Sequence, residues 1–351
     1  ALTPVETYRR KAAVFFAGDD TFVPYPIQNH LRYLDPDTAA AVIDEIRSAG
    51  DRLPRTMEEW LLKSFGPTLG AIFFIPFHEK YTAGLYRTIA PQDAYKSPVD
   101  IETVIEGARG ETGPVGYNTE FVYPIEGLDT LARKLAAKAD IHYGRRAVRI
   151  DPAEKTVFFA DESSRKYDRL ISTLPLNRTM EMAGLEAPGK PEPYSSVLEL
   201  NIGAAKGPRC PEHHWLYVPD SRSGFFRIGF YSNVDSSFIP ASARDQNDRV
   251  GIYVERAYPG GEKPQEEELE RYQRAVEEEL RELGFIGEVE VNDSTWIDVA
   301  YTWSWPDNPW KEAAEAILAE HDIIPAGRYA RWGFQGIAVS LAEGLRRGEE
   351  I

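Results

Sequence analysis

The chain has 351 residues, a length that favours about two domains, each large enough to bury its own core. Its 40 Lys and Arg against 56 Asp and Glu give a net charge of −16, which argues against nucleic acid or an anionic membrane as the main partner. Its single cysteine excludes an internal disulfide. With no signal peptide and no apolar run near the roughly 18 residues of a membrane span, we expect a cytoplasmic protein.

The hydrophobic pattern then predicts the following elements in chain order. The first thirty residues predict two short strands around a turn at Gly18. Residues 37–84 predict three helices, and Thr56 with Glu59 forms a capping box at the start of the second helix. After a loop at 90–116, residues 126–175 predict a helix and three strands, the last of which is short and buried.

The second half of the chain has a different pattern. Apolar residues alternate with polar ones from Val197 to Glu255, which predicts an antiparallel sheet. An acidic amphipathic helix and a strand follow, and the end of the chain predicts a further strand from Ala326, a turn at Gly333–Gly336 and a closing helix. The predicted fold class is therefore α/β (α+β), in three parts: a helical domain (30–116), an antiparallel substrate domain (1–29 with 117–125 and 195–305), and a reduced Rossmann-like nucleotide-binding remnant (126–194 with 306–351).

Seven stretches of the chain together resemble the UDP-galactopyranose mutase family and its bacterial amine-oxidase-like relatives. They occur in the order found in that family and cover nearly the whole chain. The stretches are FVPYPIQNHLRYL (22–34), EEWLLKSFGPTLGAIFFIPFHEKY (58–81), FVYPIEGLDTLARKLAAKA (121–139), YDRLISTLPL (167–176), FFRIGFYSN (225–233), VERAYP (254–259) and AGRYARWGFQGIAVSLAEGL (326–345).

One part of the family pattern is missing from the sequence. Its members open with a strand, GxGxxG and a helix that hold the pyrophosphate of FAD, whereas the first 17 residues here contain no glycine and GxGxxG occurs nowhere. The chain is either a truncated flavoprotein or a branch that lost the flavin module. We expect the second, because removal of a central βαβ unit would expose a large apolar edge.

The resemblance implies a set of site residues. Arg256 and Arg328 would contact the diphosphate as catalytic residues, and Tyr301 would lie near the sugar. Each also has an ordinary structural explanation, such as an outward arginine or core packing. The substrate-binding candidates are Tyr25, Gln28, Asn29, Phe77, Tyr81, Arg227, Asn233, Trp332, Gly333 and Gly336.

Two motifs depart from the family pattern. The family's uracil lies between a tyrosine and a tryptophan, whose places are taken here by Phe77 and Thr82 with Tyr81 beside it, so a base other than uracil, such as guanine, is open. A tyrosine and an acid of the last motif are replaced by Phe334 and Gly336. The glycines before the closing helix still leave backbone N–H groups for an anion.

The function implied by the resemblance is isomerisation of a nucleotide-diphosphate hexose, UDP- or GDP-galactose in type, between pyranose and furanose forms. We expect no FAD, and Mg²⁺ or Mn²⁺ as a substitute electrophile, with Asp298 and Glu79 as guesses for ligands. The alternatives are an amine-oxidase-type flavoprotein seen as a fragment and a non-catalytic sugar-nucleotide-binding module. No nucleic acid or membrane is expected to bind, and a homo-oligomer is open.

Overall fold

The computed structural model describes residues 3–92, 99–110, 113, 115, 116 and 118–350. The chain divides into two compact units: unit 1 comprises residues 1–5, 124–194 and 301–351, and unit 2 comprises residues 6–123 and 195–300. The strands are β1 (Val5–Arg9), β2 (Ala12–Phe16), β3 (Thr21–Pro24), β4 (Glu120–Pro124), β5 (Ala147–Asp151), β6 (Thr156–Phe159), β7 (Ser164–Lys166), β8 (Leu170–Ser172), β9 (Tyr194–Lys206), β10 (Trp215–Tyr217), β11 (Arg227–Phe230), β12 (Arg249–Pro259), β13 (Ile286–Thr302) and β14 (Ile323–Pro325). The helices are α1 (Pro36–Arg47), α2 (Met57–Leu69), α3 (Ile75–Tyr81), α4 (Ile101–Arg109), α5 (Leu128–Ala136), α6 (Leu176–Ala183), α7 (Tyr231–Val234), α8 (Glu266–Glu282), α9 (Trp310–Glu320), α10 (Gly327–Ala330) and α11 (Ile337–Glu349).

Unit 2 is built on a seven-stranded sheet in the order β13-β9-β12-β11-β10-β2-β3. The long strands β9 and β12 pair antiparallel from Arg249 with Ala205 to Pro259 with Ser195. One face of the sheet carries the core, where Leu200, Ile228 and Val254 pack with Val276 and Leu280 of α8. The alternating pattern of residues 197–255 predicted the antiparallel strands but not the parallel pairing of β10 with β2, and the mixed α/β class is confirmed.

Helices α1 and α2 of unit 2 begin close to where the sequence predicts, whereas α4 (Ile101–Arg109) lies within the stretch 90–116 that was predicted as a loop. The capping box of Thr56 and Glu59 is confirmed: the Thr56 hydroxyl accepts from the Glu59 N–H, and the Glu59 carboxylate accepts from the Thr56 N–H. The left-handed backbone of Gly66 (φ 77°) kinks α2 just before Pro67. A single π-helical segment, Gly70–Phe74, then joins α2 to α3.

The helical stretch Met57–Tyr81 is long and apolar enough to cross a membrane by length and composition, with a mean hydropathy of 1.3. The sequence analysis missed this stretch because it looked for an uninterrupted apolar run. Phe65, Leu69 and Phe73 from this stretch are fully or almost fully buried in the protein, whereas 39% of its apolar window is buried as a whole. The expectation that no membrane binds stays a prediction.

Unit 1 contains two small sheets. Strands β5, β6 and β7 form an antiparallel meander, and β8 pairs in parallel with β14 over three residues each. The short strand predicted at β8 exists, but it is not buried throughout: Ser172 is buried, whereas Ile171 is 38% exposed. The division into three domains stays a prediction beside these two units.

Candidate functional site

The face of the unit 2 sheet opposite its core carries a row of polar side chains. Register places Tyr217 on β10 beside Arg227 on β11, Arg227 beside Glu255 on β12, and Glu255 beside Glu199 on β9. Directly paired residues project to the same side of a sheet, so these four side chains form one row across four strands. We call this side of the sheet the polar face.

A second row runs beside the first on the polar face. It contains Trp215, Gly229, Tyr253 and Asn201, which are paired in the same way. Tyr231, just after β11, donates its hydroxyl to Glu199 Oε1 at 3.2 Å and lies 3.5 Å from Asn201 Oδ1. The polar face therefore presents carboxylates, an amide, an arginine and phenols within a few residues.

An ion pair lies at the centre of the first row. Arg227 Nη2 donates to Glu255 Oε1 at 2.6 Å, and Arg227 Nε pairs with Glu255 Oε2. The two side chains are only 27% and 8% exposed, so water screens the pair poorly. Because the guanidinium is matched by a carboxylate, this arginine adds little net charge to the polar face.

The ionisable groups around this pair favour their neutral forms. Burial, and then the charge of Glu255, raise the pKa of Glu199. Burial is also the main cause that raises the pKa of Tyr253 to about 12 and the pKa of Tyr231 further. Both phenols keep their protons at neutral pH; that of Tyr231 is donated to Glu199 Oε1, so Tyr253 is the phenol that can donate a hydrogen bond to a ligand.

The stability of the Glu199→Gln variant should diverge from that of the parent chain as pH rises. A carboxyl with a raised folded-state pKa takes up a proton on folding, so its contribution to stability falls as pH rises above the unfolded value of 4.5. The amide keeps an oxygen for Tyr231 but does not titrate. We expect the melting temperature of the variant to rise relative to that of the parent as pH increases above 4.5. The prediction is contradicted if the curves of melting temperature against pH are parallel for variant and parent, or if the control Glu288→Gln, at an exposed site, gives the same gain in melting temperature.

Gly229 leaves room for the ring of Tyr253. A Cβ at this glycine would lie 1.9 and 2.0 Å from two ring carbons of Tyr253, whereas a Cβ at Gly251 would come no closer than 3.4 Å to Phe238 O. We expect Gly229→Ala to displace the ring and to cost roughly 1–2 kcal/mol in free energy of unfolding. Urea denaturation of both alanine variants tests this, and equal losses at Gly229 and Gly251 would refute the steric reason.

Aromatic residues from three segments gather beside Tyr217. Its ring centroid is 4.8 Å from that of Tyr25 and 5.2 Å from that of Phe77. Phe77 also stacks on Tyr81 at 5.3 Å, and Tyr81 contacts Phe226 at 5.2 Å. Three predicted substrate-binding residues, Tyr25, Phe77 and Tyr81, therefore lie in one aromatic cluster next to the polar face.

Thr82 is a core residue. It is fully buried, its hydroxyl donates to His78 O at 2.7 Å, and it accepts from the Tyr86 N–H at 3.0 Å. The threonine therefore caps the end of α3 within the helical layer. A rebuilt base pocket at Thr82 has no support from these contacts, and the base preference stays a prediction.

Arg256 lies on the other side of the sheet from Arg227. Its guanidinium carbon is 5.0 Å from the ring centroids of both Tyr258 and Tyr272, and Nη1 donates to Ser223 O at 3.4 Å. Successive residues of a strand face opposite sides, so Glu255 points to the polar face and Arg256 to the side packed with α8. The two arginines lie on adjacent strands as predicted, but they are not brought together. A substrate contact by Arg256 stays a prediction.

The remaining predicted residues of unit 2 hold backbone in place. Gln28 and Asn29 form a 3₁₀ turn with Ile27 and are 0% and 2% exposed. Asn233 donates its amide to Pro211 O at 2.7 Å and to His213 O at 2.8 Å. Its amide N–H groups are therefore used inside the protein.

The other predicted residues belong to unit 1. Tyr301 is near the end of β13, which stops at Thr302, so Trp303 does not continue a one-face strand pattern as predicted. Trp332 is 2% exposed, and its indole donates to Trp303 O at 3.0 Å. Arg328 lies over the rings of Tyr329 and Phe334 at 5.1 and 5.2 Å.

Gly333 and Gly336 flank the turn before α11. Gly336 is the N-cap of this 13-residue helix and supplies no side-chain cap. Gly333 lines a cavity of about 360 Å³ together with Lys311, Arg331 and Arg346. The anion site predicted at this turn therefore has cations beside it, and it stays a prediction.

Sequence reasoning missed most of the polar face. Glu199, Asn201, Tyr217, Tyr231, Tyr253 and Glu255 were not proposed. A signal existed for several of them: Glu199 and Asn201 alternate with Leu198, Leu200 and Ile202 along β9, so polar residues of this strand share one face.

Comparisons with known proteins place this geometry in context. Residues 21–180 match the family model of flavin-containing amine oxidoreductases. A reduced UDP-galactopyranose mutase superposes with a TM-score of 0.79 and 22% identity, over 93% of this chain and 74% of the mutase. A protein assigned as a protoporphyrinogen oxidase from Exiguobacterium sp. 255-15 superposes with a TM-score of 0.69 and 12% identity, over 99% of this chain and 81% of that protein. A redesigned putrescine oxidase superposes with a TM-score of 0.53 and 13% identity, over 99% of this chain and 82% of the oxidase.

The expectation of no FAD is wrong, because the matched family model is that of flavin-containing amine oxidoreductases. The described residues nevertheless do not fit the pyrophosphate of FAD. In unit 1, β8 leads through Pro175 into α6, and β14 leads into the four-residue α10, whose Gly327 N–H is already taken by Glu343 Oε2 at 3.1 Å. We therefore derive no step of the reaction through the flavin.

The Mg²⁺ or Mn²⁺ substitute has no support either. Across the part of the chain that the structure describes, no group of three or more His, Cys, Asp or Glu could hold a metal ion. Glu79, one guessed ligand, pairs instead with Arg87 at 2.6 Å. The metal was expected only as a substitute for flavin. Because the matched family is flavin-containing, the reason for expecting a metal no longer holds.

These matches show the fold of the chain and not the reaction that it catalyses. The family model covers less than half of the chain, and the identities to solved structures are at most 22%. The superpositions nevertheless extend over more than nine-tenths of the 351 residues. The chain has the fold shared by UDP-galactopyranose mutase and flavin-containing amine oxidoreductases.

Proposed function

We propose that unit 2 binds the hexose of a nucleotide-diphosphate sugar on the polar face, as the substrate side of a pyranose–furanose isomerase. The observation that carries the proposal is the row of Arg227, Glu255 and Glu199 beside Tyr253 and the aromatic cluster. Neutral phenols, an amide and a charge-balanced ion pair suit a ligand with many hydroxyl groups. The resemblance of the fold to a UDP-galactopyranose mutase supports the choice of substrate.

The residues of the polar face can bind and orient such a sugar. The Tyr253 hydroxyl is protonated at neutral pH and can donate to a sugar hydroxyl, whereas the Tyr231 hydroxyl already donates to Glu199 Oε1 and can only accept. The Glu255 carboxylate and the Asn201 amide can accept from hydroxyl groups, and Tyr217 offers a ring face to the C–H side of the hexose. This arrangement orients the ring of the sugar. Arg227 is the one arginine in the two rows described, so the rows offer no further arginine for the phosphates.

Direct binding tests the proposal. Calorimetry with UDP-galactose, UDP and GDP should show that the hexose adds affinity to the nucleotide. Tyr253→Phe removes one donor and keeps the ring, so affinity for UDP-galactose should fall by roughly 3- to 10-fold. The control Tyr258→Phe, on the same strand but the opposite face, should leave the affinity unchanged. Equal binding of UDP and UDP-galactose would refute a hexose site.

A second candidate, oxidation of an amine, is favoured by the two carboxylates of the polar face. Glu199 and Glu255 occupy paired positions, with Arg227 between Glu255 and Tyr217, so one arginine faces two carboxylates and a cationic amine would complement them. Putrescine in the same calorimetric series decides between the candidates. Binding of putrescine that strengthens with pH, without binding of the sugar, would replace the isomerase by an oxidase.

A further inference from the structure

A cavity of about 610 Å³ lies at one end of the seven-stranded sheet of unit 2. Its wall includes Lys11 and Ala12, where β2 begins, Pro24, where β3 ends, and Glu212 shortly before β10. The volume is within the range of about 300–1,000 Å³ that is typical of pockets for small molecules. No residue from the two rows of the polar face lines this cavity, so it is a separate space within unit 2.

The wall of this cavity is positively charged. Of the described residues that line it, Arg10, Lys11 and Arg32 are cations, and Glu212 is the one carboxylate. Neither Lys11 nor Arg32 forms an ion pair with any residue that the structure describes. The chain as a whole has a net charge of −16, so this wall departs from the overall charge. An anionic ligand would be complementary to it.

Backbone carbonyls hold the two arginines in place. Arg10 is half-buried, and its Nη2 donates to Tyr25 O at 2.8 Å and to Val115 O at 2.7 Å. Arg32 Nη1 donates to Gly110 O at 3.0 Å. A carbonyl oxygen orients a guanidinium but carries no formal charge. These contacts therefore fix the two positive charges without cancelling them.

The same charges act on two histidines that line the cavity. Burial is the main cause that lowers the pKa of His30, and the charges of Arg32 and Arg10 act in the same direction. Burial, and then the charge of Lys11, lower the pKa of His213. Both imidazoles are therefore neutral at neutral pH. A bound anion would raise their pKa values, because it favours the charged form.

Tyrosine rings lie beside both arginines. Arg10 Cζ is 5.7 Å from the ring centroid of Tyr25, and Arg32 Cζ is 4.9 Å from that of Tyr33. Tyr33 is 42% exposed, so part of its ring is open to a ligand. Aromatic rings and guanidinium planes stack on the flat face that every nucleobase offers. Cations beside rings suit a ligand that carries both a phosphate and a flat ring.

We propose that this cavity binds a nucleoside monophosphate, as a site separate from the polar face. The phosphate lies against Arg10, Lys11 and Arg32, and the base stacks on the tyrosine rings. A guanidinium can bind two phosphate oxygens at once, and the lysine adds a point charge. The proposal does not rest on the hexose site, because the cavity shares no residue with the two rows.

Calorimetry with AMP, adenosine and inorganic phosphate on the 351-residue chain tests the proposal. AMP should bind about tenfold or more tightly than either of the others, because each of them lacks one half of the contacts. AMP should also raise the pKa of His30, which NMR titration of the imidazole measures. Adenosine or phosphate that binds as tightly as AMP, or a His30 pKa that AMP does not move, would overturn the proposal.

Substitutions in the wall give opposite expected effects. Arg32→Gln should weaken AMP binding by roughly 3- to 10-fold, whereas the matched control Arg9→Gln, at an arginine that is 82% exposed and outside the cavity, should not. Glu212→Gln removes the carboxylate of the wall and should strengthen AMP binding by roughly 2- to 5-fold. An equal loss in Arg9→Gln and Arg32→Gln, or weaker binding in Glu212→Gln, would refute the charged wall.

Tyr253→Phe separates this proposal from the hexose site. The variant is expected to weaken binding of UDP-galactose, but AMP affinity should be unchanged because Tyr253 does not line the cavity. A loss of AMP affinity in this variant would place AMP on the polar face and overturn the second site. If UDP-galactose does not bind the parent chain at all, the hexose site fails and the AMP measurements still decide this one.

Discussion

Glu255→Ala should lower the free energy of unfolding by roughly 3–5 kcal/mol, the loss expected when one partner of a buried ion pair is removed. Arg227 would keep its positive charge in a site where its side chain is 27% exposed, without the carboxylate that now balances it. This loss in free energy of unfolding reflects an Arg227 charge left without its carboxylate, and not the net contribution of the ion pair to stability. Urea denaturation at neutral pH measures it.

The double variant Arg227→Met/Glu255→Leu is the matched control. It removes both charges and fills the space with apolar atoms, so most of the lost stability should return. Binding of UDP-galactose should not return, because the Arg227 donor and the Glu255 acceptor of the first row are gone. A double variant as unstable as Glu255→Ala would show that the pair contributes hydrogen bonds that apolar packing cannot replace.

Local signals in the sequence were sufficient for many elements of the fold. Thr56 with Glu59 fixed the start of α2, and the alternation of residues 197–206 gave β9, because both features act within a few residues. Long-range pairing has no such signal. That β10 pairs in parallel with β2, 203 positions earlier in the chain, follows from tertiary packing alone.

The site was harder to predict because a strand has two faces. Arg256 was chosen for its resemblance to a family motif, yet it is in phase with Val250, Ile252 and Val254, the apolar residues of β12. Glu255, one residue earlier, is in phase with Tyr253 and lies on the polar face. The period of two contained this information, and it assigns Arg256 to the core side.

The contact of Gly107 with the turn at Asn29 predicts a second large effect. A Cβ at Gly107 of α4 would lie 2.1 Å from Asn29 O and 2.4 Å from its carbonyl carbon. These are backbone atoms, so no side-chain rotation relieves the overlap and either the helix or the turn must move. We expect Gly107→Ala to cost roughly 2–3 kcal/mol in free energy of unfolding, despite the better helix propensity of alanine.

Gly344 provides the matched control for this prediction. It also lies inside a helix, α11, but a Cβ there would meet nothing within 4 Å, so Gly344→Ala should stabilise the chain by up to about 1 kcal/mol. Denaturation of both variants should therefore give opposite signs, and a stabilised Gly107→Ala would refute the close contact. Because the turn at Asn29 also carries Gln28, a further loss of UDP-galactose affinity in the folded Gly107→Ala protein would mean that this turn shapes the sugar site. Unchanged affinity would confine the turn to a structural role.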